Sequence, residues 1–106
     1  IELGPGVRLA KGLNILAQGS QLIPISKGEA LILELLGSHR ETTFMFDNIV
    51  LLLSPTHGNV DLPTRRRLTA NTMQTLTNRI ERIPQLRERF QAYPTGYCLH
   101  INPKLS

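Results

Sequence analysis

Cysteine is nearly absent from this 106-residue sequence: Cys98 stands alone. A single thiol excludes an internal disulfide and fits a reducing compartment. Long apolar runs are lacking as well. None approaches the roughly 18 to 20 residues that cross a bilayer, and no signal peptide opens the chain. There is no glycine-rich phosphate loop, no G-x-S-x-G turn and no paired-carboxylate constellation, so nothing argues for an enzyme. His39, His57 and His100 share no C-x-x-C or H-x-x-x-H spacing with Cys98. No zinc site or other cofactor is therefore expected, and Cys98 reads as an inert, partly buried strand thiol. Asp47 and Asp61 are isolated and suit helix caps or turns.

What is present bounds the chain to one domain, residues 1–106. Because it starts at Ile1 and not at Met, we expect it to be a piece of a longer protein. The net charge is +4, and seven arginines lie between positions 65 and 89: Arg65, Arg66, Arg67, Arg79, Arg82, Arg87 and Arg89. Such clustering beside a polar helix is the footprint of a phosphate-backbone binder. The plain alternative is a solvated arginine-rich surface partly neutralised by Glu81 and Glu88.

Along the chain, VRLA (7–10), LNILAQ (13–18) and QLIPI (21–25) are short apolar stretches split by Lys11-Gly12 and Gly19-Ser20. These interruptions predict a small antiparallel meander. Ser26-Lys27-Gly28-Glu29 has the S-x-x-E capping pattern and should start a helix through ALILELLGSH, which Gly37 weakens or ends. TTFMFDNIVLLL (42–53) is almost continuously apolar, and its length favours a helix. SPTHGNVDLPTRRR (54–67) shows no clear period and reads as a long loop. Pro84 should end or kink the helix before it. FQAYPTGYCLHI (90–101) reads as a hairpin around Pro94-Thr95-Gly96, with Tyr97, Leu99 and Ile101 on one face.

The stretch LTANTMQTLTNRIERI (68–83) is the most informative. Leu68, Met73, Leu76, Ile80 and Ile83 follow a helical seam. The opposite surface holds Thr69, Asn71, Thr72, Gln74, Thr75, Asn78, Arg79 and Arg82. Thr and Asn are poor helix formers, so a solvated surface alone does not account for them.

The run GSQLIPISKGEALILELL (19–36) resembles the strand-to-helix passage of OmpR/PhoB-type winged-helix domains, and the tail Tyr93-Pro94-Thr95-Gly96-Tyr97 is similar to their C-terminal wing. The resemblance covers nearly the whole chain. It implies an α+β fold, a winged helix-turn-helix with an N-terminal antiparallel β-meander, three helices and a C-terminal β-hairpin wing. The Thr/Asn-rich third helix, the two-residue wing tip and Leu51–Leu53 in place of an aromatic closing the second helix depart from receiver-linked members. They look more like ToxR-like membrane-anchored bacterial regulators. The domain would then be cytoplasmic, with its parent held in the inner membrane.

The implied function is sequence-specific binding of double-stranded DNA for transcriptional regulation. A recognition helix over about 69–83 would enter the major groove, and a wing over about 90–101 would meet the adjacent backbone or minor groove. Asn and Gln pair with adenine and Thr contacts thymine, so Asn71, Gln74, Thr75 and Asn78, at i, i+3, i+4 and i+7, are the expected base contacts. Arg65, Arg66, Arg67, Arg79, Arg82 and Thr95 are the expected backbone contacts. The resemblance also implies paired copies on DNA and an RNA polymerase contact through the 54–67 loop. A winged-helix protein-interaction module without specific DNA binding is the alternative, with FMFDNIVLLL contributing to its interface.

Overall fold

Residues 1–104 are described by the computed structural model, and the alternation of buried Val7, exposed Arg8 and buried Leu9 sets the first layer. That period of two makes β2 (Val7–Ala10) a half-buried strand. It pairs antiparallel with β1 (Glu2–Gly4) and β3 (Ile15–Gln18), and β4 (Gln21–Pro24) completes a meander in the order β1-β2-β3-β4. The expected meander is present with one strand more than its sequence suggests, because Glu2–Gly4 is too short to show a period. Pro24 ends the edge strand, where a missing donor is tolerated.

Helix α1 (Lys27–Ser38) starts at the capping box. Ser26 Oγ accepts from Glu29 N at 3.2 Å, and Glu29 Oε1 accepts from Ser26 N at 3.4 Å. Gly37 does not end the helix, which continues to Ser38. Its role is close approach, since a Cβ there would lie 2.6 Å from Leu3 Cδ2. The apolar run after α1 divides in two, a short strand β5 (Phe44–Met45) and then α2 (Phe46–His57). Asn48 Oδ1 accepts from Met45 N at 2.9 Å and so fixes the helix start after Met45.

The largest departure from the sequence reading concerns residues 54–67. Helix α2 runs through Pro55 to His57, and α3 (Leu62–Glu81) begins after four intervening residues. The connection is therefore only 58–61, not a fourteen-residue loop. Pro55 deprives only the Leu51 carbonyl of its donor, on a side of the helix open to water, as Leu51 is 72% exposed. Asp61 Oδ1 caps α3 by accepting from Thr64 N at 2.9 Å, with Pro63 in the first turn. Arg65, Arg66 and Arg67 thus lie inside α3, and the third helix is longer than 69–83 suggests at its start and shorter at its end. Leu51–Leu53 sit in the middle of α2, not at its close.

Pro84 does end α3, and it opens a one-turn α4 (Pro84–Arg87), a fourth helical element. The wing follows as β6 (Phe90–Ala92) and β7 (Gly96–Leu99), and β7 also pairs with β5, giving the order β5-β7-β6. Gly96 is needed there because a Cβ would run into the Phe44 carbonyl oxygen. The expected single buried face of the hairpin is only partly realised. Leu99 is buried and Tyr97 half-buried, but Ile101 lies beyond the strand and is exposed, while Cys98 on the opposite face is fully buried.

The core joins Leu3, Val7 and Leu16 of the meander to Ile32, Leu33 and Leu36 of α1, Ile49 and Leu53 of α2, and Met73, Leu76 and Ile80 of α3. Ile83, Leu86, Phe90 and Leu99 extend it under the wing. Among the described residues, no helix is long and apolar enough to cross a membrane.

Candidate nucleic-acid interface

Helix α3 is held by a buried seam of Thr69, Met73, Leu76 and Ile80, spaced i, i+4, i+7 and i+11. Thr69 was expected on the polar surface and is instead fully buried, its Oγ1 without a hydrogen-bond partner. Leu68 is only half-buried and yields its seam position to Thr69. The register follows from α1 packing, where the Thr72 methyl fits against Gly28, 3.2 Å from the position of a Cβ there. Thr72 Oγ1 turns back to Leu68 O at 3.0 Å. Two of the threonines thus serve packing.

The remaining polar residues share one open face. Asn71, Gln74, Thr75 and Asn78 are all exposed. Gln74 Nε2 donates to Asn78 Oδ1 at 3.1 Å, which orients both amides and leaves Gln74 Oε1 as an acceptor and Asn78 Nδ2 as a donor.

The arginines divide by role. Arg66 pairs with Asp47 and lies over the Phe46 ring, 5.3 Å from its centroid. Arg67 and Arg82 are exposed, and Arg65 is half-buried with its Nε unpartnered. Arg79 Nε donates to Glu29 Oε2 at 2.8 Å. Glu29 therefore caps α1 with one oxygen and holds α3 with the other, two duties of which the sequence showed only the first.

Arg89 does not belong to an outward-facing cluster, whereas Arg87 is exposed. Arg87 Nη1 donates to Glu81 O, and buried Arg89 donates to Gln85 O at 2.9 Å and Ile101 O at 3.2 Å. Thr95 is exposed in the tight wing turn, where Tyr93 N donates to Gly96 O at 2.7 Å.

At the base of the wing, Glu41, Cys98 and His100 come together, a group that sequence spacing does not disclose because Glu41 is remote from β7. Glu41 Oε1 accepts from Ile101 N at 2.7 Å, and Oε2 lies 2.7 Å from His100 Nδ1. His100 Nε2 is 3.0 Å from Gln91 Oε1. With these atoms engaged, the group clamps the chain leaving β7. The Ile101 amide, followed by His100, holds the Glu41 carboxyl below the usual glutamate range. Burial, then the Glu41 charge, pushes the Cys98 thiol up, away from the reactive thiolate. Hydrogen bonds from Thr64 lower the Asp61 carboxyl, as expected of a cap at a helix N-terminus.

No family model matches the sequence, and no curated protein matches it either. Among solved structures, the chain is similar to the C-terminal domain of the nisin resistance regulator NsrR, a lantibiotic response regulator, with a TM-score of 0.71 and 20% identity over 97% of this chain and 100% of that one. The meander, the helices and the C-terminal hairpin are thus arranged as in the winged-helix C-terminal domain of a response regulator.

Proposed function

We propose that this chain is a single DNA-binding domain of a transcriptional regulator, which reads duplex sequence with α3 in the major groove. The carrying observation is that Asn71, Gln74, Thr75 and Asn78 occupy one exposed face while the opposite seam is buried. Amides and hydroxyls on such a face match the donor and acceptor edges of A·T pairs. Arg65, Arg66 and Arg67 in the first turns of α3, Arg79 and Arg82 near its end, and Thr95 at the wing tip serve the backbone. The fold shared with the NsrR domain supports this reading.

Two copies on adjacent half-sites would supply the affinity that one small domain lacks. For RNA polymerase, the resemblance points to the α2–α3 connection, now confined to 58–61. The short wing turn and the Thr/Asn-rich helix favour the ToxR-like branch. A protein-interaction module remains the second reading because Leu51 and Met45, 72% and 56% exposed, present apolar surface.

Selection from a random duplex library, followed by anisotropy titration across salt, decides between them. Specific DNA binding requires an enriched sequence and a log K that falls by about 0.9 per phosphate contact for each log unit of salt. No enrichment together with salt-independent association would leave the interaction module.

A further inference from the structure

A notch, lined by polar side chains together with Ile23 and Ile83, lies where the C-terminal half of α3 passes the β3–β4 turn. Thr75, Asn78, Arg79 and Arg82 line it from the helix, and Gln18 and Gln21 line it from the strands. Among the described residues, no carboxylate lines it. Gln18 and Gln21 are directly opposed in the β3–β4 register, so their side chains leave the sheet on the same face.

Arg79 reaches this notch already oriented. Its Nε edge is fixed at 2.8 Å to Glu29, whose side chain is only 4% exposed and whose other oxygen is committed to Ser26 N. Among the described residues, neither terminal nitrogen of Arg79 has a hydrogen-bond partner, and the Arg82 guanidinium has none either. A planar guanidinium held by one edge, with its other donors free beside a second arginine and two amides, suits an anion presenting several acceptor oxygens. Thr75 and Asn78 belong both to this notch and to the proposed base-reading face, so the anion must lie beside the bases they meet.

We infer that the notch seats one backbone phosphate of the bound duplex, contacted by Arg79, Arg82, Gln18 and Gln21, with Glu29 as the residue that positions Arg79. This rests on the DNA-binding reading. It extends the interface to the meander, which neither the sequence nor the recognition helix alone implicates.

The test uses the selected duplex with single phosphates replaced in turn by neutral methylphosphonate. At one position the replacement should weaken the wild type about tenfold, and the same replacement should cost Gln18→Ala/Gln21→Ala no more than about threefold, the non-additivity expected of groups in contact. Glu29→Gln keeps an acceptor for Ser26 N yet should weaken binding about threefold, measured well below its melting temperature. Electrostatics alone predicts the opposite, because a negative charge has been removed. Additive effects at every phosphate, or Glu29→Gln binding as tightly as the wild type or more tightly, would overturn the inference while leaving DNA binding intact. A wild type that selects no duplex would instead defeat the underlying reading.

Discussion

Asn78 and Gln74 are joined by a hydrogen bond of 3.1 Å, so their contributions to base reading should not add. Asn78→Ala or Gln74→Ala alone should cost about 1 to 3 kcal/mol on the selected duplex and little on random DNA, and the double variant should cost less than the sum. Equal losses on both duplexes would remove the base-reading role. Thr69 poses the reverse case, a buried hydroxyl without a partner. Thr69→Val keeps the shape and removes the unsatisfied group, and should raise stability by about 1 kcal/mol in urea unfolding. Glu41 should make stability depend on pH. Its folded-state carboxyl is held below the ordinary range by Ile101 N and His100, so its contribution is present above the unfolded-state pKa and is lost as pH falls through the folded value. The gap in urea midpoint between wild type and Glu41→Gln should therefore be full at neutral pH and close in acid below the usual glutamate range. A gap that is constant with pH would show that the carboxylate charge is not what matters.

Among the elements, the α2–α3 connection changes most between sequence and structure, and its shortness reshapes what a mutation there reports. Asp61 caps α3, and His57 belongs to the last turn of α2, so replacing either would disturb a helix end as well as any surface contact. Asn59 is exposed and makes no side-chain hydrogen bond among the described residues. Asn59→Ala should leave operator affinity within about threefold, under 1 kcal/mol, yet lower transcription in a promoter reporter if this connection meets RNA polymerase. Unchanged transcription would move the polymerase contact elsewhere. The signals for the short connection were in the sequence: Asp61 three residues before Thr64, with Pro63 between, is a helix-start pattern. Pro55 obscured the end of α2, because a proline within three residues of a helix end removes only one hydrogen bond, and no sequence period reveals that.

For the molecule as a whole, one sheet is the N-terminal meander and the other joins mid-chain β5 to the C-terminal β6 and β7, and exposed large apolar side chains among the described residues come from separate elements, Leu22 from β4 and Leu51 from α2 among them. Such surface does not amount to a stable self-association interface. The domain should sediment as a monomer at micromolar concentration and occupy paired half-sites about one helical turn apart only on DNA. A dimer without DNA would favour the interaction-module reading.

Local chemistry was legible in the sequence wherever a short-range rule acts. The Ser26–Glu29 capping box starts α1, the alternation in β2 makes a half-buried strand, Pro84 ends α3, and Asn71, Gln74, Thr75 and Asn78 fall on one exposed helical face. Only the tertiary structure decided what depends on distant partners. The seam of α3 passes through Thr69 because α2 and α1 both pack against α3 and together bury that side. Arg79 faces Glu29 across fifty positions, and Arg89 turns inward to the Gln85 and Ile101 carbonyls. Helix and strand periods are set by backbone geometry over a few residues, whereas the partner of a charge or hydroxyl is set by which elements the core brings together, and no spacing in the chain records that.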